Sequence, residues 1–325
     1  MPNLDFKGKK ILFISPIFYD YHSIIKEKLK SLGAEVLFYP ERDYSLKFSV
    51  VSNFFQSKLD AFQSKYYFEI LKKTEHITFD YLFVIKAYKM PVKFVEIFKA
   101  RYPKAKTIMN QWDSAKNNSY DYLIDEFHKV LSFDIEDVRK NSKLEYLPNF
   151  YLDDIKKIDV KSYKNDIRYD IFLVASFLPE RYASILKLID FSKKNNLEYK
   201  IKLYMSFMSY IKEFVKGNRI DKNVIIFKPL SRKEYLKMWS LSDMIYDIGS
   251  NKQTGLSQRT IETIEVGKKL ITNNRFIKQE VIYNPDQVLV INSNNFDGIL
   301  DFRNREFVAV KTNYSLESWI EKIFK

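Results

Sequence analysis

Cysteine is missing from this chain. Its absence excludes disulfides and thiolate metal sites, and it fits a reducing compartment. Only 7 Gly and 9 Pro occur in 325 residues, so flexible linkers and low-complexity tracts have little to draw on. No apolar run nears the roughly 18 residues of a membrane span, and Met1-Pro2-Asn3-Leu4-Asp5-Phe6-Lys7 lacks the apolar centre of a secretory signal. A cytoplasmic protein is therefore expected, at the inner face of the cytoplasmic membrane where it meets lipid. The 3 histidines (His22, His76 and His128) share no ligand spacing and no Asp-x-Asp ends a strand, so no metal is expected. Signatures of the G-x-G-x-x-G, Walker A and Gly-x-Ser-x-Gly kinds are also lacking, which removes the main support for a dinucleotide dehydrogenase.

What is present suits a compact protein of one or two domains. Hydrophobic residues make up 46% of the chain, ample for a sizeable core. The net charge of +13 is spread over both halves, and the aromatics, 16% of residues, interleave with aliphatics at core-like spacing. No basic-aromatic motif emerges, so no nucleic-acid partner is expected. The Lys, Asn, Ile, Tyr and Phe bias is also what an AT-rich genome produces; attraction to anionic lipid or anionic substrates is the physical alternative.

Apolar strands alternate with helical patterns along the chain. Strands are predicted at 11–15, 35–39, 81–85, 107–109 and 129–133, with helices from Ile24 to Leu32, across Phe48 to Ile70, at 92–101 and at 118–127. Lysines 47, 58, 65, 72 and 73 border the Phe48–Ile70 stripe, which reads as a packing face or, alternatively, a membrane contact. A polar Lys/Asp-rich stretch at 152–168 reads as a linker. Alternation resumes with strands at 169–175, 201–205, 224–227, 244–247, 270–272 and 288–290, helices at 180–194, 207–216 and 232–241, and an amphipathic helix from Leu316 to Phe324. Buried strands alternating with helices imply parallel sheets. The fold class is α/β with two Rossmann-like domains facing a cleft, and ligands are expected at the carboxyl ends of the strands.

The strongest motif runs from Gln253 to Thr272 as loop, helix, Gly stop and strand. Arg259 and Glu262 lie three apart and share a helix face. The helix N-terminus and Arg259 suit a diphosphate, and Glu262 suits a ribose diol. Thr254, Gly255, Leu256 and Ser257 form the loop that leads into that helix and are donor-binding candidates open to phosphate, and Glu265 is read as solvated or structural. Ser176 and Arg181 follow the first strand of the second half, where Arg181 reaches a diphosphate or the segment is an ordinary capped loop. In the first half, Asn110-Gln111-Trp112-Asp113-Ser114 ends a strand, and Asp113 is either a general base or a helix cap. Asp134 repeats that placement one strand later, where capping is the favoured role. Asp20 beside His22 is a candidate base pair or a solvated loop pair, and Lys86 a phosphate or acceptor contact or a snorkelling lysine.

These stretches, with Gly267-Lys268-Lys269-Leu270-Ile271-Thr272, Ser132-Phe133-Asp134 and Leu147-Pro148-Asn149-Phe150-Tyr151, resemble bacterial glycosyltransferases of the GT-B fold that build lipopolysaccharide or capsule. The spore-coat (CgeB-like) group is the nearest in kind. The resemblance implies that Glu262, five residues before the helix-ending Gly267, contacts the ribose. It also implies that the terminal helix crosses back to the first domain. Retaining members of the wider fold often carry a second Glu eight positions earlier; Thr254 stands there, so the stereochemical course is open. For inversion a base from the first domain is needed, with Asp20, His22 and Asp113 as candidates and Lys86 and Trp112 on the acceptor side.

The expected organisation is an acceptor-binding domain at 1–151, a linker at 152–168, a donor-binding domain at 169–313 and a terminal helix at 314–325. The expected activity is metal-independent, cofactor-free transfer of a sugar from a nucleotide diphosphate donor to an oligosaccharide or lipid-linked acceptor, with peripheral membrane association. A sugar-nucleotide epimerase or hydrolase of the same fold, and a non-catalytic basic scaffold, are the rivals.

Overall fold

A computed structural model describes residues 4–157, 166–292 and 294–325. The chain forms two compact units. Residues through Asn149, with Lys252–Gly255 and Leu316–Lys325, make one; Phe150–Asn251 with Leu256–Ser315 make the other. The expected linker falls partly on 158–165, outside the described residues; Asp153–Lys157 before it is a 3-10 turn with Ile155 buried.

The first unit begins with β1 (Lys10–Ser15), α1 (Tyr21–Ser31), β2 (Glu35–Pro40), α2 (Leu46–Phe54), α3 (Leu59–Lys73) and β3 (Tyr81–Ile85). It continues through α4 (Val92–Arg101), β4 (Lys106–Gln111), β5 (Lys129–Ser132), α5 (Ile135–Lys140) and β6 (Leu144–Tyr146). Its six-stranded sheet has the order β2-β1-β3-β4-β5-β6, parallel throughout. Helices cover both faces, so β1 and β3 are buried along almost their whole length, as their unbroken apolar runs require.

In the second unit, β7 (Tyr169–Ser176), α6 (Pro179–Lys194), β8 (Tyr199–Tyr204), α7 (Phe207–Val215) and β9 (Ile225–Ile226) come first. Then follow α8 (Arg232–Ser240), β10 (Ser242–Asp247), α9 (Gln258–Glu265), β11 (Lys269–Thr272), β12 (Val288–Val290) and α10 (Ile299–Asn304). This sheet is also parallel, in the order β12-β11-β10-β7-β8-β9. The chain winds from β7 outward to β9, then restarts on the other side of β7 at β10. That reversal leaves a crevice at the carboxyl ends of β7 and β10; the equivalent point in the first sheet lies between β1 and β3.

The last helix, α11 (Leu316–Phe324), belongs to the first unit. Phe324 meets Phe6, Tyr81 and Phe83 edge-on at 4.9, 5.3 and 5.3 Å between ring centroids, and Trp319 lies 6.2 Å from Trp112.

Several elements differ from the sequence expectation. The long helix across 48–70 is broken: Ser52 and Asn53 donate to the Ser49 carbonyl, and Phe55 leaves helical geometry with φ −131° and ψ 54°. The packing reading of that stripe holds for Phe48, Leu59 and Ile70, which are buried. The segment predicted as a helix at 118–127 is a 3-10 turn at Asp121–Glu126, with the preceding Tyr120 fixed by its hydroxyl donating 3.0 Å to Asp137. Strand β6 and helices α5 and α10 are too short to show a clear period, and they were not expected.

Candidate functional site

The second unit's reversal point gathers four of the sequence candidates. Ser257 caps α9, accepting from the Thr260 N–H, and its hydroxyl donates 2.6 Å to Asp247 at the end of β10. Thr260 donates to the same carboxylate oxygen at 2.6 Å, and Arg259 Nη1 donates to the other at 2.5 Å. A second Arg259 nitrogen donates to the Val174 carbonyl of β7. Burial opposes ionisation of Asp247, yet the Arg259 charge and the two hydroxyls outweigh it and hold the carboxyl below its usual range. Arg181, on the first turn of α6, donates 2.5 Å to the Ser176 carbonyl. Burial and the nearby Arg259 charge both weaken its hold on its proton. Its buried Nε–H has no hydrogen-bond partner. Two guanidinium groups thus converge on one strand edge, with buried Asp247 near both and Glu180 acting on Arg181.

Glu262 points elsewhere. It is 2% exposed, and both its oxygens accept from Arg232, at 3.0 and 2.7 Å. Arg232 also grips Asp154 through two bonds of 2.9 Å each. Burial still outweighs that charge and raises the Glu262 carboxyl above its usual range. Leu256, expected to bind the donor, is instead fully buried with Ile261 and Ile264 in the core behind α9, where no ligand reaches its side chain. Gly267, with φ +73°, ends the helix as the pattern required. Glu265 accepts from the Thr312 hydroxyl, a structural role.

Thr254 and Gly255 sit in the first unit. Thr254 donates to Asp134 from its backbone N–H at 2.6 Å and its hydroxyl at 2.7 Å. Asp134 also caps α5, accepting from the Glu136 and Asp137 N–H groups, as favoured. A Cβ on Gly255 would lie 2.2 Å from the Phe133 ring and 2.5 Å from its carbonyl oxygen, so only Gly permits this approach. Ser114 donates 2.6 Å to the Lys252 carbonyl nearby.

The first unit's reversal point has its own charged cluster. Lys86 Nζ lies 2.8 Å from Asp113, each side chain about a quarter exposed. Asp113 starts no helix, since the residues after it form turns; its partner is Lys86, which is not a snorkelling surface lysine. Burial opposes the Lys86 charge, but Asp113 and Glu41 overcome it and raise its pKa. Glu41 is wholly buried and pushed up to about 7 by that burial, with Lys86 and Arg42 pulling the other way. Tyr19, Lys86, Ala87 and Lys89, in the loops after β1 and β3, hold positive φ values of 45°, 72°, 50° and 48°. Non-glycine residues adopt such angles at a cost, and they concentrate where geometry serves a site. Trp112 packs beside Tyr21 and Trp319. Asp20 is exposed at the start of α1, while His22 rests on the Phe38 ring at 5.2 Å and burial lowers its pKa.

Sequence reasoning passed over Glu41, Asp154, Arg232 and Asp247. Asp247 had a usable signal, as a charged residue ending a buried strand just before the motif. The other three announce themselves only through partners distant in sequence.

Among the described residues, no group of three or more His, Cys, Asp or Glu side chains is placed to hold a metal ion. No described helix is long and apolar enough to cross a membrane.

No known protein family and no curated protein matches the chain by sequence. Solved structures do match it in fold. An α-glucosyltransferase in complex with UDP and a 13-mer DNA is 13% identical with a TM-score of 0.55, over 97% of this chain and 94% of that one. The α,α-trehalose-phosphate synthase (UDP-forming) from Burkholderia xenovorans, in complex with glucose-6-phosphate, is 12% identical with a TM-score of 0.59, over 97% and 95%. The lipopolysaccharide outer core galactosyltransferase WaaB is 12% identical with a TM-score of 0.51, over 97% and 95%. The chain has the GT-B fold. Within that fold each unit is a Rossmann-like parallel sheet with its own reversal point, and the guanidinium pair lies at that of the second unit.

Proposed function

We propose that the protein is a glycosyltransferase, moving a hexosyl or related sugar from a nucleotide diphosphate donor to a lipid-linked oligosaccharide of a surface polysaccharide or lipopolysaccharide. The observation that supports this furthest is the pair Arg181 and Arg259 at the carboxyl edge of β7 and β10, with the Arg181 Nε–H buried and unpartnered. A diphosphate supplies acceptor oxygens for that N–H and a charge that both guanidinium groups can share. The glucosyltransferase of the same fold was solved with UDP, a ligand of that class. Ser176, Ser257 and the N-terminus of α9 complete the donor side, and Arg259 is held ready by Asp247 rather than free to move.

In the transfer, an acceptor hydroxyl oxygen bonds to the anomeric carbon as the sugar–phosphate bond breaks. The departing diphosphate gains negative charge, which Arg181 and Arg259 stabilise, so no metal is required. For inversion, the hydroxyl proton passes to a base assigned to the first unit. Asp113 is preferred over Asp20 and His22, because Lys86 Nζ fixes it at 2.8 Å while a quarter of its side chain stays open. Lys86 and Trp112 belong to the acceptor side of this proposal, and the enzyme works as a peripheral protein at the cytoplasmic face of the membrane.

Arg181 is the residue to test. Replacing Arg259 strands buried Asp247, and replacing Glu262 strands the buried end of Arg232, so both variants confound binding with folding. Arg181→Met should weaken nucleoside diphosphate binding by about 10- to 100-fold, the worth of lost charge-assisted hydrogen bonds, with the melting temperature of the free protein nearly unchanged. Thermal shifts against UDP, GDP, ADP and CDP give the base preference. If none of them raises the melting temperature, the proposal fails. Donor consumed or isomerised without acceptor would instead favour the hydrolase or epimerase reading.

A further inference from the structure

Helix α7 is amphipathic with its apolar face turned outward. Phe207, Met208, Ile211, Phe214 and Val215 fall at i, i+1, i+4, i+7 and i+8, the spacing of a single helical stripe. In a soluble α/β unit that stripe would face the sheet, but here no residue of the helix is buried. Met208 is 72% exposed, Phe214 66% and Val215 79%. Tyr210 alone turns toward the core of the second unit, and it anchors the helix. Phe227 extends the patch, 5.6 Å from the Phe207 ring and 5.4 Å from Tyr210.

The surroundings are basic. Over residues 205–228, Lys212, Lys216, Arg219, Lys222 and Lys228 outnumber Glu213 and Asp221, a net charge of 5 − 2 = +3 within a chain of +13. Contiguous exposed apolar surface of this kind marks an interaction site. An apolar stripe rimmed by lysines matches the acyl–headgroup boundary of an anionic bilayer, where aromatics sink several ångströms and ammonium groups meet phosphates. A second copy of the chain fits less well, because it would set one lysine rim against another. The membrane contact is interfacial, since no described helix is long and apolar enough to span.

We propose that α7 and Phe227 form a docking surface for an anionic lipid bilayer. It deepens the transfer reading by assigning the membrane contact to the second unit, on the carboxyl side of β8, the strand next to β7.

The test is co-sedimentation of the full chain with vesicles of phosphatidylcholine alone or mixed with phosphatidylglycerol. Wild type should partition onto the mixed vesicles, less so at high salt, and weakly onto phosphatidylcholine alone. Phe207→Ser/Phe214→Ser should lose about 10-fold or more in partitioning, while its melting temperature and nucleoside diphosphate binding stay close to wild-type values, because both side chains are more exposed than buried. A comparison variant, Leu46→Ser/Phe54→Ser, removes exposed apolar side chains from α2 and should change partitioning by less than about 2-fold. Absence of wild-type binding to mixed vesicles overturns the proposal. So does a loss that follows the α2 variant instead, or a concentration-dependent dimer that disappears with Phe207→Ser/Phe214→Ser. Loss of nucleotide binding in wild type would count against the transfer reading alone.

Discussion

Glu41 follows Pro40 at the end of β2 and has no exposed surface. Neither carboxylate oxygen has a hydrogen-bond partner of ordinary geometry. Gln63 and Tyr67 from α3 instead donate to its backbone carbonyl, at 2.5 and 2.9 Å. The groups that face its side chain are Lys86, Arg42 and the Tyr88 backbone N–H, which favour the charged form, and Asp113 and Tyr67, which do not. Burial prevails and lifts its pKa from 4.5 to about 7. The folded protein therefore binds a proton here that the unfolded chain has already released, and stability falls as pH rises between those two values. The fall attributable to Glu41 is about 3 kcal/mol, complete above the folded pKa and absent below the unfolded one. Glu41→Gln should flatten that part of the profile, leaving the variant more stable than wild type at pH 8 and little changed at pH 4. Denaturant midpoints across that range decide it; parallel profiles would show that the proton is not held at Glu41. The cost of keeping a carboxyl there fits a role in holding the charge of Lys86, the ion-pair partner of Asp113.

At the scale of elements, α11 is the clearest dependency. It joins the first unit after the chain has completed the second, and Trp319, Ile320, Ile323 and Phe324 are buried there. Burial of such side chains contributes ~1.5–3 kcal/mol each, so a chain ending at Ser315 loses on the order of 5 kcal/mol or more from the first unit alone. That approaches the whole stability of an ordinary domain. The truncated protein should lose the first unit's cooperative transition in calorimetry and keep the second's; two intact transitions would refute the packing argument. The helix itself was legible, because Leu316, Trp319, Ile320 and Ile323 follow the helical period. Buried parallel strands were legible for the same reason, being apolar runs with helices between them. The break between α2 and α3 was not, since it turns on Ser52 and Asn53 bonding to the backbone, a local contest that periodicity does not register. The same limit applied at the site. Spacing put Arg259 and Glu262 on one side of α9 but said nothing of Asp247, Arg232 and Asp154, which decide what each can do. Gly255 read as part of a loop open to phosphate, whereas its lack of a side chain admits Phe133.

For the whole molecule, each of the two units has its own sheet and core, the first around Leu12, Leu82 and Phe94, the second around Ile171, Leu203 and Met244. Energetic contributions from a ligand need not be shared evenly between them. Every donor group proposed above that contacts the diphosphate belongs to the second unit: Ser176, Arg181, Ser257 and Arg259. A ligand that binds only the folded form of that unit, supplied at about 100 times its dissociation constant, adds about 2.7 kcal/mol to the unit's stability. Amide hydrogen exchange resolves where that energy goes. With saturating UDP, or whichever diphosphate gives the largest thermal shift, slowly exchanging amides of β7 and β10 should gain protection of about 100-fold. Those of β1 and β3 should change little, because their opening does not release the diphosphate. Arg181→Met, binding about 10- to 100-fold more weakly, should cut the gain in β7 and β10 to about 2- to 11-fold at the same ligand concentration. Equal protection of both sheets would mean that the units open as one cooperative body, or that the first unit also holds the nucleotide. A repeat on the chain ending at Ser315 separates these: with the first unit unfolded, protection of β7 and β10 by diphosphate survives only if the second unit binds it unaided.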